Sequence, residues 1–330
     1  MKKFLGKSIL FFVIVIMLSL SIVFLKEDFE NSQEYLLAMQ DKHKRAQNIK
    51  GTKIILAGGS NLVFGIDSEQ IQKELHTPVV NFGLHAQLGL SFILNEVQDI
   101  AKPNDIVILS IEHLMPTEGD PELQKITSYY NPSAYSYSSQ KKTGWLEKFK
   151  KISGNHQMLF KKTISNFIEK KEPDQVYRRD AFNRFGDGIN HLELPSKTLG
   201  SRSILKERSY KQIELFNRFY KFALDRGIRV VFTYGAYEQS EYQKNKKVLQ
   251  ENHKILKQHL KIEMIMDIDD FVYPTPYFYD SVYHLNKIGR VEHTKNLIQK
   301  IQNCATLAHL NNERKNTHNR NIESTSQKNQ

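Results

Sequence analysis

"IILAGGSNLVFGIDS", residues 54–68, is the stretch on which the reading of this chain turns. An apolar run meets Gly58 and Gly59, then Ser60, and a second apolar patch closes in a small polar turn. Short β-branched runs such as "TKIILAG" are typical of strands buried in a parallel sheet, which puts Ser60 on the lip of a strand. The turn is either an ordinary tight turn or one built to present the hydroxyl, and the surrounding chain has to decide between them.

Working outward, "DSEQIQKEL" (67–75) reads as a helix with Asp67 and Ser68 in capping positions. "PVVNFG" (78–83) is a second strand, "LSFILNEVQDIA" (90–101) a second helix and "DIVILSI" (105–111) a third strand. The rhythm resumes with a helix over 209–227, a strand over 228–235, a helix over 240–260 and a strand over 261–269. The closing helix, over 285–302, spaces Ile288, Val291, Leu297 and Ile301 on one face. Such alternation predicts an α/β fold, an open parallel sheet of about five strands with helices on both faces, covering 51–302. Residues from about 115 to 204 break the pattern with "TSYYNPSAYSYSSQ", a lysine-rich amphipathic segment (141–171) and "RFGDGINHLELPSKTLG". They are expected as an insertion, part helix and part loop, serving either as decoration or as a lid or partner surface.

The termini differ from this domain. "MKKFLGK" carries three lysines, and "SILFFVIVIMLSLSIVFL" (8–25) follows without a charge. A bilayer core takes roughly 20 apolar residues to span, and secretory signals have shorter apolar runs and an A-x-A-like site that is not found here. Residues 8–25 are therefore expected as an uncleaved transmembrane anchor. The basic residues before it place 1–7 in the cytoplasm and the domain outside. Residues 26–50 are charged and helix-prone and read as a stalk, and the polar segment 303–330 is expected to be disordered.

Composition narrows the function. Formal charge is +11, yet the basic residues are spread out, with no arginine block, zinc-finger spacing or RNA-binding aromatic signature. Nucleic acid is therefore not an expected partner; a basic face near anionic lipid or an acidic glycan suits the charge better, and a plain solvated surface is a commoner use of such residues than either. The single cysteine, Cys304, excludes an intramolecular disulfide. No His, Cys and carboxylate cluster has metal-ligand spacing, no Walker lysine or GxGxxG follows the glycines, and neither a metal nor a cofactor is expected.

Ligands of open α/β sheets bind at the carboxyl ends of the strands, where Ser60 stands. A hydroxyl needs a base within hydrogen-bond reach, and the base needs an orienting group. "YFYDSVYHLNKIG" (277–289) offers both, Asp280 and His284, in a loop on the same sheet edge. Either half alone is commonplace; a GGS turn and a histidine before a helix are usually structural. Together, at the two ends of one α/β pattern, they are far more specific.

"GGSNLVFGIDS" resembles the first block of the SGNH (GDSL-like) hydrolase superfamily, and "DSVYHLN..G" its last block. "NFGLHAQLG" is similar to the second block, and the whole is closest to membrane-anchored members found with surface-glycan acylation systems, such as proteins resembling the D-alanine-transfer protein of teichoic-acid operons. The resemblance covers about 51–114 and 205–302 and implies a three-layer, flavodoxin-like α/β/α domain. It makes Ser60 the nucleophile, His284 the general base and Asp280 its orienting partner, with the amides of Ser60 and Gly83 forming the oxyanion hole. Two features depart from it. Three residues, not two, separate Asp280 from His284, and the asparagine that the third block adds to the oxyanion hole is replaced in "ILSIEHLMP" by Glu112 and His113. Asn61 and Glu112 are candidate auxiliary groups, and "NRFGDGINH" (183–191) is expected to offer Asp187 or His191 over the site, or simply to turn.

The expected activity is serine-dependent acyl-ester chemistry outside the cytoplasm, most simply O-acyl transfer to a polysaccharide, with a multi-span membrane acyl donor as partner. Glycan ester hydrolysis is an alternative within the same chemistry. A catalytically idle binding or assembly module is an alternative outside it.

Overall fold

The structure is a computed structural model and describes residues 4, 6–14, 17, 33–138, 174–201 and 210–307. Strands β1 (Ile54–Gly58), β2 (Val79–Asn81) and β3 (Ile106–Ile111) are buried at every position. Nearly continuous apolar runs of this kind belong to a parallel sheet covered on both faces. With β4 (Arg229–Tyr234) and β6 (Glu263–Met264) they pair in the order β2-β1-β3-β4-β6, every pairing parallel. β5 (Tyr237–Glu238) pairs instead with β7 (Val272–Tyr273), and β8 (Phe278–Ser281) forms an antiparallel hairpin with β9 (His284–Leu285).

The chain steps one way from β1 to β2 and the other way from β2 through β3 to β4. Right-handed crossovers therefore deliver helices to both faces. Helices Leu90–Ile100 and Tyr210–Leu224 touch each other on one face, while Lys287–Gln302 lies against Ser60–Gly65 and Ser68–Leu75 on the other. The fold is thus α/β, a central parallel sheet flanked by helices. At the far edge from Ser60, the fully buried Asp105 accepts from Lys53 Nζ at 2.5 Å and from the Lys53 amide at 3.1 Å, joining the starts of β1 and β3.

Three expectations need adjustment. The strand expected over 261–269 pairs only at Glu263–Met264, because at Tyr234 the ladder is replaced by a bond from its amide to Met266 Sδ. On the closing helix Ile288 and Val291 are exposed, and the inner stripe is Gly289, Arg290, His293, Thr294, Leu297, Ile298 and Ile301. Arg290 can lie inside because its Nε donates to Ile66 O at 2.6 Å and its guanidinium faces Asp187. Finally, the part of the expected stalk that is described docks on the domain. Tyr35–Leu37 and the helix Ala38–Asn48 bury Leu36, Leu37, Ala38, Met39 and Ala46, and Arg179 of the insertion holds Asp41 through two hydrogen bonds.

Residues 6–14 are helical with their large apolar side chains exposed. Among the described residues no helix is long and apolar enough to cross a membrane, and 15–16 and 18–32, which include most of the expected anchor, lie outside them. The segments 139–173 of the expected insertion and 308–330 of the expected tail also lie outside the described residues.

The docked helix carries a buried lysine. Lys42 Nζ donates to Asn81 O at 2.9 Å and Gly186 O at 2.5 Å, and burial pushes its pKa down to about 7. A neutral amine still satisfies both carbonyls. Above pH 7 the unfolded chain therefore binds the proton that the native state has released, and stability rises with pH. From pH 7 to 9 wild type should gain on Lys42→Met by about 2 kcal/mol in all, the slope starting near half of about 1.4 kcal/mol per pH unit at pH 7 and rising toward that full value, read from paired urea unfolding curves.

Candidate functional site

Ser60 follows β1 at the point where β1 and β3 send their chains in opposite directions, the crevice in which such sheets bind ligands. It opens the helix Ser60–Gly65, whose N-cap Gly59 is extended, with φ −90° and ψ −155°. Gly58 and Gly59 are needed for closeness, not for a left-handed turn. A Cβ on Gly58 would stand 2.0 Å from Ser110 O, and one on Gly59 would stand 2.5 Å from Glu112 Oε1. The ends of β1 and β3 approach so tightly that only glycine fits between them.

The distant end of the chain meets Ser60 there. Ser60 Oγ lies 2.9 Å from His284 Nε2, and His284 Nδ1 lies 2.8 Å from Asp280 Oδ1. The β8–β9 hairpin explains how three intervening residues still allow this. Ser281 pairs with His284, and a register shift between Phe278 and Ser281 turns Asp280 back toward the ring. Two residues after His284, Asn286 caps the closing helix by accepting from the amides of Ile288 and Gly289, so the hairpin is anchored directly behind the imidazole. The Phe64 ring packs on the imidazole at 4.3 Å between centroids.

Electrostatics favours the relay. Burial alone would push the Asp280 carboxyl up, but hydrogen bonds from His284 and Tyr177 and the charge of Lys197 hold it below the usual range. Asp280 is thus ionised and accepts the Nδ1 proton, leaving a lone pair on Nε2 for the serine. A hydroxyl so placed can be deprotonated as it attacks a carbonyl.

Tyr177 is the residue that sequence reading missed. Its hydroxyl donates to Asp280 Oδ2 at 2.7 Å and stands 3.4 Å from His284 Nδ1. It comes from the insertion, where "DQVYRRD" carries no recognisable signal. Val176 and Tyr279 pack with Val63 and Phe64 of the Ser60 helix, and Phe182 and Leu194 flank them. The described part of the insertion therefore forms one wall of the site.

The remaining candidates fall elsewhere. The Gly83 amide, expected in the oxyanion hole, donates to Asn81 Oδ1 at 2.9 Å and is engaged there. Asn61 turns inward, accepting from the Gly59 amide and donating to Ser110 O and Oγ, so its side chain ties the Ser60 helix to β3. Glu112 does reach the serine. Its Oε1 accepts from Ser60 Oγ at 3.3 Å and from the Asn61 amide at 3.0 Å. His113 turns away, its ring against Tyr234 and Tyr237.

Asp187 and His191 lie beneath the site. His191 Nε2 bonds to Leu285 O at 3.0 Å, and burial lowers its pKa to about 4, so it is a neutral donor that holds β9 in place. Asp187, fully buried, accepts from the Ser68 amide and hydroxyl, Asn81 Nδ2, Asn183 Nδ2 and Arg290. It joins the insertion, β2 and the closing helix. Removing it takes the nearer carboxylate from the buried Arg290 guanidinium, leaving Asp67 at 3.7 Å, and unpairs several buried donors at once, which costs about 3–5 kcal/mol. Asp187→Ala should lower the unfolding free energy by that amount in a denaturant titration, and a loss under about 1 kcal/mol would contradict this structural role.

No protein family, curated protein or solved structure matches this chain.

Proposed function

We propose that this chain is a membrane-anchored, extracytoplasmic serine acyltransferase that places an acyl group, acetyl or similar, on hydroxyls of a cell-surface or secreted polysaccharide. The observation that carries the reading is the hydrogen-bonded series from Ser60 Oγ through His284 to Asp280, at the crevice of an open α/β sheet.

In the first half-reaction Ser60 Oγ attacks the donor's acyl carbon while His284 Nε2 takes the hydroxyl proton. The tetrahedral intermediate collapses, the bond to the donor's alcohol or thiol breaks, and the leaving group departs with that proton. In the second, a sugar hydroxyl gives its proton to Nε2 as it attacks the serine ester, and Ser60 leaves by taking the proton back. Water in place of the sugar makes the same site an esterase. Asp280 keeps the proton on Nδ1 throughout and stabilises the imidazolium.

The N-terminus supports a membrane setting. If residues 8–25 span a bilayer, at most ten residues separate the anchor from Tyr35, whose phenol senses the charges of Glu112 and Asp280. Extended chain covers about 3.3–3.6 Å per residue, so Tyr35, whose ring packs 5.8 Å from that of Tyr177 at the site, sits within roughly 35 Å of the anchor's end. That is near enough to receive an acyl group from a membrane-embedded donor protein, and the net positive charge suits anionic lipid or an acidic glycan.

A second reading has an observation of its own. The Gly83 amide is bound to Asn81, and a carboxylate oxygen lies on the serine where donors to an oxyanion are required. A binding or assembly module that keeps the serine without using it would look like this.

Activity separates the two. With purified protein and an activated acyl ester, Ser60→Ala and His284→Ala should each slow acyl transfer to an oligosaccharide on the order of 10⁶-fold, and Asp280→Ala on the order of 10⁴-fold. In cells, Ser60→Ala should remove the ester acetate signal of the polysaccharide in proton NMR. An unchanged ester content in that strain would leave the binding-module reading in its place.

A further inference from the structure

Glu112 is the group around the serine that the acyl-transfer scheme leaves without a task. It is the first residue beyond β3, 5% exposed, and its Oε1 accepts from the Asn61 amide and stands 3.3 Å from Ser60 Oγ. Its carboxyl therefore stands at hydrogen-bond distance from the atom that would carry the acyl group, beside the acyl oxygen that gathers negative charge in the attack. An ionised carboxylate there is an acceptor only and would repel that oxygen at hydrogen-bond distance. Two negative charges cannot share such a site, so one of them takes a proton.

We infer that Glu112 works as the neutral acid and donates a hydrogen bond to the developing oxyanion on the Ser60-bound acyl group. This rests on the serine acyl-transfer reading and deepens it by assigning the donor that Gly83 does not present. A buried carboxylic acid held neutral for this purpose is established chemistry in other enzymes. The proton has a short path. Ser60 Oγ lies between His284 Nε2 at 2.9 Å and Glu112 Oε1 at 3.3 Å, so neutral histidine with protonated Glu112 and imidazolium with carboxylate differ by one proton passed through the hydroxyl. In the acylation step the Ser60 proton goes to Nε2 and the carbonyl π pair moves onto oxygen. Glu112 keeps its proton and shares it as a hydrogen bond.

The other ionisable groups around it fit this state. Tyr35, on the N-terminal turn, donates its phenol proton to Leu84 O at 2.7 Å and is held protonated chiefly by burial. Asp280 is already committed to His284 and Tyr177, and the ring of His113 lies against Tyr234 and Tyr237. The acid needed beside the oxyanion is therefore Glu112.

The proposal predicts a pH signature. Acylation needs one proton shared between His284 and Glu112, so its rate should be bell-shaped in pH, and the two limbs belong to the pair. Glu112→Gln keeps an acceptor for the Asn61 amide and supplies a permanent donor. The experiment is the rate of Ser60 labelling by a fluorophosphonate, whose phosphoryl oxygen occupies the oxyanion position as fluoride leaves, from about pH 5 to 10. Wild type should lose about tenfold per pH unit beyond its alkaline limb. Glu112→Gln should stay active, lack that limb and overtake wild type at high pH, while Glu112→Ala should be slow at every pH. If Glu112→Gln is slow throughout and Glu112→Asp restores the rate, the carboxylate form is what the site uses, and the inference is wrong. It is equally wrong if wild type has no alkaline limb, which can be read without any variant. Failure of wild type to label at all removes the serine chemistry itself, a different result from labelling with the wrong pH dependence.

Discussion

The close approach of β1 and β3 at their carboxyl ends is the constraint from which the rest of the site follows. With Ser110 O and Glu112 Oε1 where Cβ atoms of Gly58 and Gly59 would stand, the chain enters the Ser60 helix in one direction only. Asn61 then locks that helix to Ser110, and the Asn61 amide reaches Glu112. The serine is consequently held by backbone packing on the side of the sheet and by His284 on the other. A bulkier residue at either glycine would move the hydroxyl away from the imidazole and the carboxylate together.

Much of this was legible in the sequence for a physical reason. Strands buried on both faces are continuous apolar runs, so "IILAG", "VVN" and "IVILSI" show their character without help from tertiary structure. A parallel sheet then brings their ends to one edge, and with them Ser60 and the Asp280–His284 segment. What was hidden depends on partners remote in the chain. Ile288 and Val291 read as the inner face of the closing helix because periodicity cannot foresee that Arg290 has a buried carbonyl and carboxylate waiting for it. The docking of Ala38–Asn48 and the arrival of Tyr177 at Asp280 depend on residues 174–201 of the insertion, a polar and aperiodic stretch. Gly83 could be placed in the right strand turn, yet the orientation of its amide is set by Asn81, itself oriented by Asp187 and Leu62 O.

The site that emerges is a relay with an unusual neighbour. Serine, histidine and aspartate form one hydrogen-bonded line, braced by Tyr177 and Phe64, and the carboxyl group of Glu112 closes the other side of the serine. The same line would serve transfer to a sugar or to water; which acceptor wins depends on what the crevice excludes. In an acyltransferase the insertion wall, with Tyr177 and Val176, is the natural place for that selection, because it borders the imidazole that must accept the second proton.

The account stands or falls on a covalent intermediate at Ser60. Purified protein exposed briefly to p-nitrophenyl acetate, quenched in acid and digested, should carry an acetyl adduct on the peptide containing Ser60, visible by mass spectrometry and absent from Ser60→Ala. An adduct on lysines alone, equal in wild type and Ser60→Ala, would contradict it.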